Sequence, residues 1–198
     1  MKSIIITGAA SGIGQSVAQM MLEDGWFVGL FDVSDAPLNE LQKQWGSDRC
    51  SVHVVSVCEE AQLANAFKSF DEKAGKLDVL FNCAGLLEFG HFEEVSLKRH
   101  NQILAVNNQG LMNCCYLAFP YLKQQSESRV INMSSASSMY GVPGLAIYAA
   151  SKAWVRSLTE SLNIEWARHG IHVLDVEPPF VNTSMVAGQQ AQVIEKMG

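Results

Sequence analysis

The chain has 198 residues, 48% of them hydrophobic and 17% charged, with a formal charge of -6. That length carries one well-buried domain, here taken as 1–198, more comfortably than two, and an acidic balance with no run of Lys or Arg argues against a nucleic-acid track and for a small-molecule partner. The charged share falls below the roughly one quarter usual in soluble chains, which points to a large core or to a surface covered by a second copy.

In chain order, "SIIIT" predicts a strand and residues 12 to 24 a helix, followed by "WFVGLF" and a helix over 36 to 45. "CSVHVVSV" and a helix over 59 to 75 come next, then "LDVLFN" and a helix over 96 to 122. "RVINMS", a helix over 147 to 168 and "IHVLDVE" complete the alternation. The apolar runs are short, β-branched and apolar on both faces, as strands covered by helices on each side are. The pattern predicts an α/β fold with a doubly wound parallel sheet in three layers, ligands gathering beyond the carboxyl ends of the strands. Gly25 and Gly170 stand where helices hand over to strands, as C-terminal caps do. No apolar stretch is long enough for a signal-peptide core or a membrane span, so no membrane partner is expected.

Between the first strand and helix lies "TGAASGIG". By analogy with dinucleotide-binding turns, Gly8 permits the tight turn, Gly12 admits a pyrophosphate to the backbone, and Gly14 lets the helix pack on the sheet. Glycine turns also arise for structural reasons alone, and this spacing is not G-x-G-x-x-G. Asp32 closes the second strand, 18 residues after Gly14, close to the distance of an acid that binds the adenosine ribose. A carboxylate there repels the extra phosphate of NADP, and neither Ser11 nor Val33 supplies a cation, so NAD is the expected cofactor. The plainer alternative makes Asp32 a turn or capping residue.

Tyr148 and Lys152 in "YAASK" lie four apart, on one face of a helix. A phenol near pKa 10 is a poor base at neutral pH, and an adjacent ammonium favours its ionised form. Lys152 thus tunes Tyr148, the proton donor and acceptor, and can also bond a ribose. Thirteen positions before the tyrosine, Ser135 ends a strand in "RVINMSSASS", placed to hydrogen-bond the reacting oxygen. Tyr140 is a rival base, but Gly144 rather than a cation stands four residues on.

T-G-x-x-x-G-I-G, N-x-A-G at Asn82 to Gly85, Asn107 in "VNNQG", Ser135, and Tyr148 with Lys152 together resemble the short-chain dehydrogenases/reductases, from Ile4 to about Met185. The resemblance implies a Rossmann-type domain binding NAD or NADP and acting on an alcohol or carbonyl. It implies a catalytic set of Asn107, Ser135, Tyr148 and Lys152, with Asn107 holding a water in a proton relay; a helix-kink or capping amide is the structural alternative for that asparagine. It assigns Gly8, Ser11, Gly12, Ile13, Gly14, Asp32, Val57, Asn82, Ala84, Gly85, Tyr148, Lys152, Val181 and Thr183 to the cofactor, and implies a cytoplasmic homodimer or homotetramer built through the helices at 96 to 122 and 147 to 168. A non-catalytic NAD-binding sensor or scaffold of the same fold is the alternative function.

Four features depart from the family's pattern. Cys83 replaces the second Asn of N-N-A-G, Ser56 replaces an Asp that contacts adenine, and Pro179 replaces a Gly beside the nicotinamide. The sequence also stops at Gly198, short of the family's last strand and helix, leaving "IHVLDVE" as an expected exposed edge that further chain or a partner would cover. The resemblance lines the substrate pocket with Leu86, Leu87, Phe89, Met139, Tyr140, Val142, Phe180 and Met185, which suits a hydrophobic secondary alcohol or ketone. His91 lies nearby and reads as structural. The five cysteines include no C-x-x-C pair or matching His cluster, so reduced thiols rather than a disulfide framework or a metal site are expected.

Overall fold

The computed structural model describes residues 1–179 and 181. Among the described residues six parallel strands form one sheet: β1 (Ser3–Thr7), β2 (Phe27–Asp32), β3 (Cys50–Val54), β4 (Val79–Asn82), β5 (Ser128–Met133) and β6 (Ile171–Val176), in the order β3-β2-β1-β4-β5-β6. Helices α1 (Gly12–Glu23), α2 (Asp35–Trp45), α3 (Glu60–Ala74), α4 (Leu97–Leu104), α5 (Leu111–Leu122) and α6 (Ala146–Trp166) provide the crossovers. The strand order reverses between β1 and β4, so their carboxyl ends open a crevice where loops diverge to opposite faces.

Alternation along the strands divides the core in two. Ile4, Ile6, Val28, Leu30, Val79 and Phe81 pack against Ala18, Leu22, Leu38 and Leu41 of α1 and α2. Ile5, Phe27, Phe31, Leu80 and Val130 face the other way, onto Leu63, Phe67 and Phe70 of α3, Leu111 and Ala118 of α5, and Val155 of α6. Both faces are therefore covered, which is why these strands read as unbroken apolar runs.

Two expectations are revised. The helix predicted over 96 to 122 is interrupted by a π-helical turn at Ala105–Gly110, carrying Asn107. The run "CSVHVVSV" pairs as a strand only to Val54; Val55 N then donates to Asp32 O (2.8 Å), and Val55, Ser56 and Val57 turn along the crevice as a loop. Among the described residues β6 pairs only with β5 and leaves Leu174 and Val176 exposed. No helix among them is long and apolar enough to cross a membrane.

Candidate active site

The crevice widens into a cavity of about 650 Å³ that runs from the glycine turn and Asp32, past Val57 and Ala84, to Ser135, Tyr148 and Lys152. At the turn, Gly8 takes a left-handed backbone (φ 71°), and a Cβ on Gly14 would lie 2.1 Å from the Gly8 carbonyl oxygen. Only glycine at 14 lets α1 start against the turn. The Ser11 side chain makes no capping bond at the start of α1, and Ser11, Gly12 and Ile13 all line the cavity. Uncapped N–H groups at a helix start, on the wall of a cavity, suit a pyrophosphate.

The Asp32 carboxylate also lines the cavity, and its two oxygens accept from Ala10 N (3.1 Å) and Ser34 N (3.0 Å). It therefore fixes the glycine turn and the entry to α2, as the turn-residue reading required, and a carboxylate's remaining lone pairs stay available to a ribose. Val33 beside it is 66% exposed and brings no charge.

Thr7, which sequence reasoning passed over, closes the switch point. Its buried hydroxyl accepts from Cys83 N and Ala84 N, each at 3.1 Å, tying the end of β1 to the end of β4. The Cys83 thiol faces the cavity, and burial pushes its pKa up to about 11, so it is a neutral group there. Beneath it, Asn82 donates to Asn132 Oδ1 (2.9 Å) and the Cys115 sulfur (3.3 Å), and Asn132 donates to Thr159 Oγ1 (2.9 Å). Asn82 is thus a buried brace across β4, β5 and α6, and not the wall residue expected of a cofactor contact.

Asn107 is likewise buried behind the wall. Its amide accepts from Leu86 N (2.7 Å) and donates to Leu86 O (3.0 Å) and Ser151 Oγ (3.0 Å). The side chain holds the Leu86 backbone that lines the cavity. The π-helical turn brings Asn107 to that position, and Gly110 at the end of the turn packs directly on Val57.

Ser135 starts a 3₁₀ turn (Ala136–Ser138), accepting from Ser137 N (3.2 Å) and Ser137 Oγ (3.0 Å), and its hydroxyl is a hydrogen-bonding partner of the Tyr148 phenol. Lys152 is buried: Nζ donates to Met133 O (2.6 Å) and lies 5.7 Å from the Tyr148 ring centroid. Burial lowers its pKa to about 8. The expectation that this ammonium lowers the phenol's pKa is corrected here. Burial pushes Tyr148 up, the Ser135 hydrogen bond pulls it down, and neighbouring Cys83 adds to the rise.

Leu86, Leu87, Tyr140 and Val142 line the cavity as expected, joined by Val106, Leu145, Pro178, Pro179 and Val181. Phe89 instead borders a separate small cavity, and Met139 and His91 are exposed away from the main one. Phe180, Thr183 and Met185 lie outside the described residues. All five cysteines are free, and among the described residues no cluster of three or more His, Cys, Asp or Glu is placed to hold a metal.

The family model for short chain dehydrogenases matches residues 2–193. Among relatives, 3-oxoacyl-(acyl-carrier-protein) reductase FabG of Thermotoga maritima is 32% identical over 186 residues, 93% of this chain and 76% of that protein. Oxidoreductase UcpA of Escherichia coli (strain K12) is 33% identical over 186 residues, 93% and 71% of the two chains. Among solved structures, 3-ketoacyl-(acyl-carrier-protein) reductase from Brucella melitensis complexed with NADH superposes with TM-score 0.89 at 28% identity, over 93% of this chain and 78% of that one.

Proposed function

The chain belongs to the short-chain dehydrogenase family, and on that premise we propose that it is an NAD-dependent oxidoreductase interconverting a secondary alcohol and a ketone on a small, mostly hydrophobic molecule. The observation that carries the reading is the convergence of Ser135, Tyr148 and Lys152 at one end of a cavity whose other end holds the glycine turn and Asp32. That span suits a dinucleotide laid along the crevice, and about 650 Å³ is within the range of small-molecule sites.

The bound dinucleotide would supply or accept the hydride. This chain's residues manage the proton and the fit. Tyr148 gives a proton to the carbonyl oxygen in reduction and takes one from the alcohol in oxidation, while Ser135 hydrogen-bonds the same oxygen. Lys152, anchored on Met133 O, bonds the nicotinamide ribose and fixes the helix turn that carries the phenol. Asn107 sets the Leu86 backbone on the wall. A phenol held above its ordinary pKa stays protonated across the neutral range, which favours the donor role in ketone reduction.

Gly8, Ser11, Gly12, Ile13 and Gly14 are the proposed pyrophosphate contacts, Asp32 the ribose contact, and Val57, Ala84, Gly85 and Val181 the walls around adenine and nicotinamide. NAD is preferred over NADP because Asp32 is anionic and Val33 neutral at the ribose end. The NADH in the Brucella melitensis reductase supports that choice. Assembly as a homodimer or homotetramer is supported by Met112 and Tyr116 on α5 and Ile164 on α6, apolar side chains left exposed by this chain alone. Five free thiols suit a reducing, cytoplasmic setting.

The test pairs cofactor binding with turnover. NADH and NADPH are titrated by fluorescence, and NADH oxidation is followed on acetophenone and cyclohexanone with wild type and Tyr148→Phe. NADH-selective binding with Tyr148-dependent turnover supports the reading; tight binding with no Tyr148-dependent rate on these or other apolar ketones would return the protein to a binding module.

A further inference from the structure

Glu177 follows β6 and precedes the two prolines that line the cavity. Its carboxylate accepts a hydrogen bond from Ser138 Oγ at 2.6 Å, and its side chain is 22% exposed. Ser138 is buried and ends the 3₁₀ turn that Ser135 begins. The same turn hangs on the exit of β6 through its backbone, with Ser134 N donating to Val176 O (2.9 Å) and Ala136 N to Pro178 O (3.1 Å). The same Glu177 oxygen, Oε1, lies 3.9 Å from Arg156 Nε, one turn beyond Lys152 on α6. Arg156 in turn pairs with Glu160 (3.5 Å).

We propose that Glu177 is a positioning residue that latches the Ser135 turn against the β6 exit and α6, so that the serine hydroxyl stays in register with Tyr148. The inference rests on the proposed catalytic reading and extends it to a side chain that touches neither substrate nor cofactor. The physical case is that three elements meeting at the reaction end, the turn after β5, the exit of β6 and helix α6, are cross-linked by one carboxylate. Its bond to Ser138 is charge-assisted and short, hence the stronger kind. Besides its bond with the Tyr148 phenol, the Ser135 hydroxyl accepts from Ser137 N and Ser137 Oγ of its own turn, so the set of that turn decides how the hydroxyl meets the phenol. Small displacements at a reacting centre are costly in rate.

The experiment measures kcat, KM and NADH affinity with acetophenone and cyclohexanone for Ser138→Ala, Glu177→Ala, Glu177→Gln and the Ser138→Ala/Glu177→Ala double variant. Tyr148→Phe serves as the control, and thermal unfolding confirms that each variant is folded. The latch predicts that each alanine variant lowers kcat by about tenfold or more with NADH affinity unchanged. It predicts that the double variant loses no more than the worse single, and that Glu177→Gln, which keeps an acceptor oxygen, recovers most of the loss. Alanine variants with wild-type kcat, or losses that multiply in the double variant, overturn it. If those variants match wild type while Tyr148→Phe is inactive, the latch alone fails. If Tyr148→Phe turns over as wild type does, or nothing turns over, the catalytic reading and the latch fall together.

Discussion

Lys152 places its ammonium 2.6 Å from the Met133 carbonyl oxygen and over the Tyr148 ring, 5.7 Å from its centroid, so the cation is held on the last peptide of β5 and faces the phenol ring. Burial lowers the lysine to about 8, against an ordinary 10.5. Below pH 8 the folded protein bears the full cost of a buried charge. Between 8 and 10.5 the unfolded chain holds a proton that the folded chain has released, so this group's contribution to stability rises with pH. Cys50, Cys114 and Cys115, which are buried, and half-buried Cys83, all raised, act in the opposite sense above pH 9, which makes the difference between two variants the clean readout. Urea unfolding at about pH 7.5 and about pH 9.5 should show wild type gaining on Lys152→Met as pH rises, by at most about 3 kcal/mol. A difference that does not move with pH contradicts the buried, depressed lysine.

The raised phenol has a kinetic counterpart. With Tyr148 above its usual 10, the phenolate that accepts a proton in alcohol oxidation is scarce at neutrality and grows about tenfold per pH unit. For oxidation of a secondary alcohol such as cyclohexanol, kcat/KM should climb without a plateau to about pH 10, while ketone reduction stays level over the same range. An oxidation plateau reached near neutrality would mean that a cation, and not burial, governs the tyrosine.

How far the sequence anticipates this site depends on what each residue does. The sheet, its helices and the glycine turn are legible because hydrophobic alternation and helix period are local signals, and Ser135, Tyr148 and Lys152 are legible as a spaced set of chemical groups. Thr7 and Glu177 were missed because their work is done through partners 76 and 39 residues away, in Cys83 and Ser138, which no local pattern reveals. Asn82 and Asn107 were recognised as residues, but their bracing role was not foreseen. Both amides are buried and turned to backbone or neighbouring side chains, and only packing distinguishes such a brace from a ligand contact. The direction of the Tyr148 pKa was misjudged because a four-residue spacing fixes a shared helix face but not how deeply the phenol is buried, and burial is what raises it.

Asp32 is asked to do two things at once, and substitution separates them. Its oxygens accept from Ala10 N and Ser34 N; water can replace the exposed Ser34 bond, but Asp32→Ala leaves the N–H of buried Ala10 without its acceptor and should cost about 1–3 kcal/mol in stability. Asp32→Asn keeps one acceptor and removes the charge. Combined with Val33→Arg, it should reverse the preference between NADH and NADPH, shifting the ratio of dissociation constants by about a hundredfold or more, as fluorescence titration of each cofactor would show. If the double variant still favours NADH, the carboxylate does not select the cofactor.

Gly110 ends the π-helical turn, and a Cβ there would lie 2.3 Å from Val57 Cγ2 and 3.0 Å from Val57 Cβ. The methyl of Gly110→Ala therefore has to push either the turn that carries Asn107 or the loop that walls the cavity at Val57. Val57 O also accepts from Asn113 Nδ2 (3.0 Å), so the loop is fastened to α5 and has little room to retreat. The substitution should destabilise the protein by about 1–3 kcal/mol, the usual cost of an overpacked methyl. It should also weaken NADH binding, because the displaced side chain faces the cavity. Val57→Ala removes Cγ2, the atom nearest the new methyl, and leaves Cβ at 3.0 Å, so the Gly110→Ala/Val57→Ala pair should recover more stability than independent effects allow, read as a coupling energy from urea unfolding of the four proteins. Additive losses would show that the helix and the loop do not press on each other, and that the approach of Gly110 to Val57 places neither Asn107 nor the cavity wall.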